Sequence, residues 1–257
     1  MNAINAKDAI ASADAVGGVR AVPAASRLAV FDLDNTLLTG DSEVLWVDHL
    51  LSRGLLDAGL AAANAEMDRR YQAGVASAAE FSAFYASTFA GRTPDAWAPV
   101  LAEFVDGTVL PRIPEDARAL VRGHRQRGDL LVLSTASSRF LSQPSAALLG
   151  FEHLIATELM QADDGRFVGT TRGLLNMREG KVDRLRAWLQ ARGDDVETTL
   201  AGAVFYSDSI NDLPLLMAVG EPVVVDPDRR LSAEAASRRW PVLRLDRRPF
   251  SSSPGTP

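Results

Sequence analysis

The segment Leu28 to Thr36 reads Leu-Ala-Val-Phe-Asp-Leu-Asp-Asn-Thr, and it constrains the fold more than any other part of the chain. The apolar run from Leu28 to Phe31 predicts a buried β-strand. Two aspartates, Asp32 and Asp34, follow this run directly. Open α/β sheets bind their ligands at the carboxyl ends of strands, so we expect both carboxylates to face a ligand there. Carboxylates this close together raise each other's pKa or bind a cation.

Downstream, apolar strand-like runs alternate with helical segments, as is typical of a doubly wound parallel sheet. We predict core strands at 130–133, 153–156, 203–206 and 222–225, and a hairpin at 165–169. Residues from about 43 to 103 show helical spacing and no convincing strand. The prediction is therefore an α/β fold whose parallel sheet carries a small helical cap domain inserted after the first strand. The expected limits are 1–25 for a disordered leader, 26–42 and 111–246 for the core, 43–110 for the cap and 247–257 for a flexible tail.

Composition excludes several classes of function. The net charge of −6 argues against a nucleic-acid partner bound through a basic surface. The absence of cysteine excludes disulfides, zinc–thiolate sites and thiol catalysis. No apolar stretch approaches the length of a membrane span, and the leader lacks the pattern of a secretory signal, so we expect a cytoplasmic protein. No feature of the sequence indicates an oligomeric state.

Polar side chains recur where the predicted strands end or the following helices begin. Besides the two aspartates, the strand-end positions carry Ser134, Asp208 and Asp212, and Lys181 lies near the start of a predicted helix. Because parallel strands present their carboxyl ends at one edge, these groups are expected to converge. Carboxylates, a lysine and a hydroxyl together suit a magnesium ion and a phosphate group. Lys181 is the only lysine outside the leader.

Each of these residues also has an ordinary structural explanation. Asp32 and Asp34 are typical of a turn after a strand, and Ser134 is typical of a helix cap. Lys181 suits a solvated helix surface, and Asp212 suits a helix cap or a surface ion pair. Their joint occurrence in one order is what favours a functional site.

In order and spacing, four segments resemble the four motifs of the haloacid dehalogenase superfamily of hydrolases: Asp32-Leu33-Asp34-Asn35-Thr36, Leu133-Ser134, Gly180-Lys181 and Ser207-Asp208-Ser209-Ile210-Asn211-Asp212. The resemblance covers roughly residues 28–227. The helical insertion directly after the first motif is similar to the cap of the phosphoserine-phosphatase-like branch, subfamily IB. The resemblance implies a Rossmann-like core and a phosphomonoester hydrolase that acts on a small phosphorylated metabolite.

For catalysis, the resemblance implies that Asp32 attacks phosphorus and becomes an aspartyl phosphate. Asp34 would protonate the leaving alkoxide and then deprotonate the attacking water. Mg²⁺ would be held by Asp32, by the backbone carbonyl of Asp34 and by Asp208.

For substrate binding, the resemblance assigns the phosphoryl oxygens to Ser134, Thr135 and Lys181. Asp212, with Asn211 beside it, would position Lys181 or a water on the metal. These supporting roles complete the expected site.

The cap is expected to select the substrate, with histidinol phosphate and phosphoserine as the two candidates of an amino-acid biosynthetic enzyme. The carboxylate of phosphoserine would need an arginine, for which the insertion offers Arg53, Arg69 and Arg70. A cationic substrate would favour acidic and aromatic groups, for which it offers Asp41, Glu43 and Trp46. Phosphoserine phosphatases typically have Ser-Gly-Gly at the second motif, where this chain has Ser-Thr-Ala, and glutamate where it has Asp41. Both departures argue against phosphoserine, and the stretch around the second motif resembles relatives that include bacterial histidinol-phosphate phosphatases.

Three other functions compete with this one. A phosphotransferase would use the same aspartyl phosphate, and a non-catalytic relative would only bind a phosphorylated ligand. A receiver-type signalling module also uses magnesium, aspartates and a lysine, but it is about half as long and has no helical insertion after its first strand.

Overall fold

The computed structural model describes residues 26–248, so the predicted leader and most of the predicted tail lie outside the described residues. The strands are β1 Leu28–Phe31, β2 Leu130–Ser138, β3 His153–Gln161, β4 Phe167–Arg172, β5 Val204–Ser207, β6 Glu221–Val225 and β7 Val242–Leu243. The helices are α1 Ser42–Ser52, α2 Leu60–Gln72, α3 Ala78–Ser87, α4 Pro94–Phe104, α5 Glu115–Gln126, α6 Arg139–Leu149, α7 Glu179–Arg192, α8 Val196–Gly202, α9 Leu213–Ala218 and α10 Arg229–Arg238.

The seven strands form one sheet in the order β4-β3-β2-β1-β5-β6-β7. All neighbours are parallel except β3 and β4, which form the antiparallel hairpin expected near 165–169. In the register, Phe31 on β1 lies beside Leu133 on β2 and Tyr206 on β5. The residues that follow these three positions therefore meet at one edge. The predicted α/β class and parallel core are confirmed.

Successive side chains of β1 point to opposite faces of the sheet, and both faces are buried. Ala29 and Phe31 face one apolar cluster, which continues into α5, α6 and the helices after β1. Leu28 and Val30 face a second cluster, formed with α7 and α9. A strand covered on both sides reads as a continuous apolar run, which explains the sequence signal. The central strand is thereby fixed, and the two aspartates that follow it are anchored.

The stretch between β1 and β2 is helical and contains no strand among the described residues, as predicted. We call its part before α5 the insertion, which comprises α1 to α4, a π-helical turn at Val105–Val109 and a 3₁₀ turn at Leu110–Arg112. Asp41 caps α1 by accepting hydrogen bonds from the backbone N–H groups of Glu43 and Val44. The limits of a separate cap domain stay a prediction.

Arg247 differs from its predicted place in a loose tail. Its guanidinium donates to the carbonyls of Thr36 and Leu38 at 3.1 and 3.2 Å, and also to that of Asn35. Its Nε donates to the Asp226 carboxylate at 2.8 Å. The acceptors are carbonyl groups of the irregular loop after β1 and the carboxylate of Asp226. Together they hold the arginine against the core. No helix in the described part of the chain combines the length and apolarity needed to span a bilayer.

Candidate active site

A cavity of about 420 Å³ lies between the carboxyl edge of the sheet and the insertion. Its core side is lined by Asp32, Asp34, Asn35, Ala136, Ser137, Lys181, Asp208, Ser209, Ile210, Asn211, Asp212, Asp226, Asp228 and Arg230. Its other side is lined by Asp41, Asp68, Tyr71, Gln72 and Phe81. The structure thus brings most of the predicted site residues together in one cavity.

Lys181 lies at the bottom of this cavity between two buried carboxylates. Its Nζ is 2.9 Å from Asp32 Oδ1 and 2.7 Å from Asp212 Oδ2. Burial raises the pKa of Asp32 to about 7, since it outweighs the opposing charge of Lys181. Burial lowers the pKa of Lys181, but the carboxylates of Asp212 and Asp32 more than offset it and hold that pKa above its usual value. The lysine is therefore a fixed positive charge beside Asp32.

The start of α7 approaches the preceding loop so closely that only glycine fits at position 180. A Cβ on Gly180 would lie 2.3 Å from the carbonyl oxygen of Leu175. This contact brings the first turn of α7, and with it Lys181, under the sheet edge. The Gly180-Lys181 pair therefore has a steric reason as well as an electrostatic one.

Asp34 faces away from the lysine, toward the end of β2 and the start of α1. Its Oδ1 accepts from the Ser42 backbone N–H at 2.7 Å, and its Oδ2 accepts from the hydroxyls of Ser137 at 2.6 Å and Thr135 at 3.3 Å. Burial raises the pKa of Asp34, although these hydrogen bonds oppose the shift. The two aspartates of the first motif thus occupy different environments.

Asp208 and Asp212 follow β5 and differ in their partners. Asp208 Oδ1 accepts a hydrogen bond of 2.9 Å from the Thr36 hydroxyl. The backbone N–H of Asp208 donates to the oxygen of that hydroxyl at 3.0 Å. Burial and the charge of Asp32 raise the pKa of Asp208 well above its usual value. Asp212 accepts from the Ser207 hydroxyl at 2.7 Å as well as from Lys181.

The oxygen donors of Asp32 and Asp208 fit a hard cation such as Mg²⁺. Burial raises the pKa of both carboxylates, and the charges of neighbouring aspartates raise both further. Added positive charge would therefore stabilise the ionised form of each. Within residues 26–248, no group of three or more His, Asp or Glu side chains is arranged to hold a metal. A two-carboxylate site needs further oxygens from backbone, water or substrate, which is the usual pattern for magnesium.

Two predicted phosphate-binding residues lie beneath the cavity wall. Ser134 and Thr135 are fully buried, and neither lines the cavity. Ser134 Oγ accepts from the Asn176 amide at 3.1 Å, and the Thr135 hydroxyl donates to Asp34. The hydroxyl that does line the cavity from β2 is that of Ser137. In this structure neither hydroxyl lines the cavity, and direct phosphate contact by Ser134 and Thr135 stays a prediction.

The predicted specificity residues of the insertion divide in the same way. Asp41 lines the cavity, as expected. Trp46 does not, because it is fully buried against Phe89, Trp97 and Phe104. Glu43 is also buried outside the cavity wall.

Glu43 links the insertion to the core. Its Oε1 accepts from the backbone N–H of Ser138 at 2.8 Å, and burial raises its pKa to about 7. In this structure Glu43 therefore joins α1 to the end of β2, and its role as a substrate ligand stays a prediction.

The three candidate arginines for a substrate carboxylate all lie outside the cavity wall. Each contacts a glutamate at the surface: Arg53 with Glu103, Arg69 with Glu66 and Arg70 with Glu80. Surface pairing satisfies their charges, so they are not directed at a ligand in this structure.

Among the wall residues of α2 that were missed from the sequence are Asp68 and Tyr71. They stand three positions apart and therefore share one helix face. Burial and the charges of Asp41, Asp212 and Asp32 raise the pKa of Tyr71, whose side chain lines the same cavity as these three carboxylates. The helical spacing of Asp68 and Tyr71 was the signal available in the sequence. In the structure the ring centroids of Tyr71 and Phe81 lie 4.0 Å apart.

Comparisons with known proteins agree with the fold and identify the family. A family model described as haloacid dehalogenase-like hydrolase matches residues 29–217. A histidinol-phosphatase of Neisseria meningitidis is 38% identical over 217 residues, which cover 84% of this chain and 97% of the relative. A phosphoserine phosphatase of Mycobacterium tuberculosis is 29% identical over 220 residues, which cover 83% of this chain and 69% of the relative.

Solved structures show the same architecture. A protein of unknown function from Bordetella pertussis Tohama I matches with a TM-score of 0.80 at 38% identity, over 85% of this chain and 98% of that one. A substrate-bound phosphoserine phosphatase matches with a TM-score of 0.65 at 14% identity, over 88% of this chain and 95% of that one. At that identity, the second match supports the fold alone.

Proposed function

This chain belongs to the haloacid dehalogenase-like hydrolase family, and from that membership we propose that it is a magnesium-dependent hydrolase of a small phosphomonoester. The observation that carries the proposal is the placement of Asp32 beside the buried Lys181, in a cavity that Asp208 also lines. A carboxylate, a fixed cation and a second carboxylate at one sheet edge are what phosphoryl transfer to an aspartate requires.

In the proposed reaction, an oxygen of Asp32 attacks phosphorus while the bond from phosphorus to the alcohol oxygen breaks. This gives an aspartyl phosphate and an alkoxide. A water molecule then attacks phosphorus, the bond to the aspartate breaks, and inorganic phosphate leaves. Lys181, at 2.9 Å from Asp32, is suited to bind a phosphoryl oxygen next to the nucleophile.

Asp34 is suited to carry the proton in both steps. Burial raises its pKa, so a protonated form is accessible for donation to the leaving alkoxide. The resulting carboxylate then takes a proton from the attacking water. Ser42 and Ser137 hold its two oxygens in place throughout.

The residues that would hold magnesium are Asp32 and Asp208, with the backbone carbonyl of Asp34. Bound magnesium would supply positive charge that keeps Asp32 ionised and offsets the charge of the phosphoryl group. Thr36 orients Asp208 through the pair of hydrogen bonds between them.

For the substrate we propose histidinol phosphate. Of the cavity-lining residues, eight are aspartates, against the two cations Lys181 and Arg230. Asp41 and Asp68 on the insertion side suit the substrate ammonium, and the ring of Tyr71 suits its imidazole. The Neisseria relative at 38% identity, named a histidinol-phosphatase, supports the same choice.

Phosphoserine is the second candidate, because Arg230 of α10 lines the same cavity. Its guanidinium packs against Gly74 at the end of α2, which places it at the rim beside the insertion. An arginine there is suited to a carboxylate. Arg230→Ala should therefore lower activity only if phosphoserine is the substrate.

The test is phosphate release from histidinol phosphate, phosphoserine and p-nitrophenyl phosphate, with magnesium and with EDTA. We expect a kcat/KM at least about tenfold higher for histidinol phosphate than for phosphoserine, a difference of about 1.4 kcal/mol. The opposite preference would replace the substrate but keep the chemistry.

The variant Asp32→Asn tests the assignment of Asp32 as the nucleophile. Its matched control is Asp163→Asn in the exposed hairpin turn. Full turnover by Asp32→Asn, or full turnover in EDTA, would refute the proposed mechanism. Phosphate release that requires an added alcohol acceptor would indicate a phosphotransferase instead.

A further inference from the structure

Strand β2 leaves its regular ladder at the second motif. Ser134 pairs with Ile155 of β3, and the next pairing joins Ser138 to Thr157. Four steps along β2 therefore match two steps along β3, so residues 135–137 bulge out of the sheet. Such bulges re-aim side chains next to active sites and leave backbone groups unpaired.

The bulge supplies hydroxyl groups that hold Asp34. Thr135 and Ser137 both belong to it, and both donate to Asp34 Oδ2. The Ser137 hydroxyl also accepts a hydrogen bond of 3.0 Å from the Ser42 hydroxyl, where α1 begins. The orientation of Asp34 thus depends on the shape of β2 between 135 and 137.

The side chain of Asn176 fills the space that the bulge opens. It is fully buried in the loop between β4 and α7. Its amide nitrogen lies 2.9 Å from the Thr135 carbonyl oxygen, 3.0 Å from the Ile155 carbonyl oxygen and 3.1 Å from Ser134 Oγ. One amide therefore binds both strands at the point where their ladder is broken.

The orientation of this amide is fixed by its surroundings. Three oxygens surround the nitrogen, while the amide oxygen is buried without a hydrogen-bond partner. A rotated amide would place its oxygen against two carbonyl oxygens, which cannot donate, so the amide nitrogen is favoured at this position. The backbone N–H of Asn176 donates to Thr157 Oγ1 at 3.2 Å and anchors the loop on β3.

We propose that Asn176 is a positioning residue for the proton transfer of Asp34, and this proposal rests on the function proposed above. Asn176 stabilises the β2 bulge, and the bulge presents the hydroxyls of Thr135 and Ser137 to Asp34. Without the amide, two buried carbonyls lose their donor, and the bulge relaxes toward the regular ladder. The carboxyl group of Asp34 then loses its alignment with the leaving oxygen.

Leaving-group dependence separates this role from a merely structural one. An alkoxide needs a proton as it leaves, whereas p-nitrophenolate is a stable anion and leaves without one. A variant that impairs proton donation therefore loses more kcat/KM on an alkyl phosphate than on p-nitrophenyl phosphate. A loss of folded protein lowers both values equally. The parameter kcat/KM is chosen because it covers steps up to departure of the alcohol.

The experiment compares wild type, Asn176→Ala and Asn176→Ser. The two substrates are p-nitrophenyl phosphate and whichever of histidinol phosphate and phosphoserine the wild type hydrolyses faster. We expect the ratio of aryl to alkyl kcat/KM to rise at least about tenfold in Asn176→Ala, since general acid catalysis contributes about 10²–10⁴-fold. Asn176→Ser keeps one donor and should give an intermediate rise.

Asn64→Ala is the matched control. Asn64 is also a buried asparagine whose amide nitrogen donates to a carbonyl and a side chain, those of Val44 and Asp48, and it lies outside the cavity wall. It should lose stability and leave the ratio unchanged. An unchanged ratio in folded Asn176→Ala overturns the positioning role, as does an equal rise in Asn64→Ala.

Asp34→Asn separates failure of this proposal from failure of the proposed function. A raised ratio in Asp34→Asn with unchanged ratios in the Asn176 variants refutes only the role of Asn176. An unchanged ratio in Asp34→Asn refutes the acid role of Asp34 itself. If Asn176→Ala does not fold, Asn176→Ser decides, and an unchanged ratio in that variant overturns the proposal.

Discussion

Replacement of Lys181 by methionine should reveal the electrostatic cost of the buried aspartates. The lysine side chain is almost fully buried, and its ammonium lies 2.9 Å from Asp32 and 2.7 Å from Asp212. Methionine is similar in length and apolar, so Lys181→Met removes the charge and leaves little empty space. The measured effect is therefore that of two buried carboxylates without their shared cation.

The size of the effect follows from these contacts. Removing one partner of a buried ion pair costs about 3–5 kcal/mol. Asp212 keeps its hydrogen bond from Ser207, which retains part of its stabilisation. We therefore expect Lys181→Met to lower the free energy of unfolding by about 4 kcal/mol. Adding Asp212→Asn removes one of the two stranded charges and should restore about 2 kcal/mol.

Urea-induced unfolding, followed by circular dichroism in EDTA, measures these differences without bound metal. Phosphate release measured in parallel should fall at least about 100-fold in Lys181→Met. It should stay low in the double variant, which separates the stability effect from the role in catalysis. A single variant within about 1 kcal/mol of wild type, or a double variant less stable than the single one, would refute the reasoning.

Three further predictions concern stability. Arg247→Ala should lower the free energy of unfolding by about 2 kcal/mol and Tm by roughly 4–8 °C, measured calorimetrically, because the arginine binds several loop carbonyls and a carboxylate at once. Gly220→Ala should cost about 1–3 kcal/mol in a urea titration, because its Cβ would lie 1.8 Å from the Ala201 carbonyl oxygen, whereas Gly202→Ala, with open space around its Cβ, should be nearly neutral. Burial lowers the pKa of His124, so the unfolded chain takes up a proton first as pH falls through about 6.5, and stability should decline below that pH. His124→Gln should show a smaller decline in unfolding titrations between pH 7 and pH 5.5; an equal decline in both proteins would contradict the assignment.

The sequence was sufficient to predict the convergence at the sheet edge. Strand runs ending in Asp32, Ser134 and Asp208 fix which residues lie at the carboxyl ends, and parallel topology brings those ends together. Lys181 followed from charge alone, since the carboxylates need a cation and the described chain offers this lysine. Chemistry and topology together therefore predicted the centre of the site.

The walls of the cavity were less predictable, for two physical reasons. Trp46 was expected at the substrate, but packing among three other aromatic rings places it in the core. A tryptophan on an amphipathic helix satisfies either role, and only the tertiary contacts decide. From the sequence, the three arginines were candidates to bind a substrate carboxylate. In the structure each of them is paired with a glutamate.

The bulge in β2 was the other unpredicted element. The sequence indicated a strand ending at Ser134 and Thr135, whereas the strand continues to Ser138 with a break in register. A run of small hydroxyl residues fits a strand end, a helix cap and a bulge equally well. The deciding partner is Asn176, about 40 residues away, which local patterns do not reveal.

The docking of Arg247 also sets when the site is completed during synthesis. Its bond to the Thr36 carbonyl joins residues 211 positions apart in the chain. At about 5–20 residues per second, the ribosome takes about 10–40 s to bridge that interval. Throughout this time the loop after β1 is already made but lacks its guanidinium anchor. A nascent chain therefore gains this last support of the loop after β1 only as translation passes Arg247.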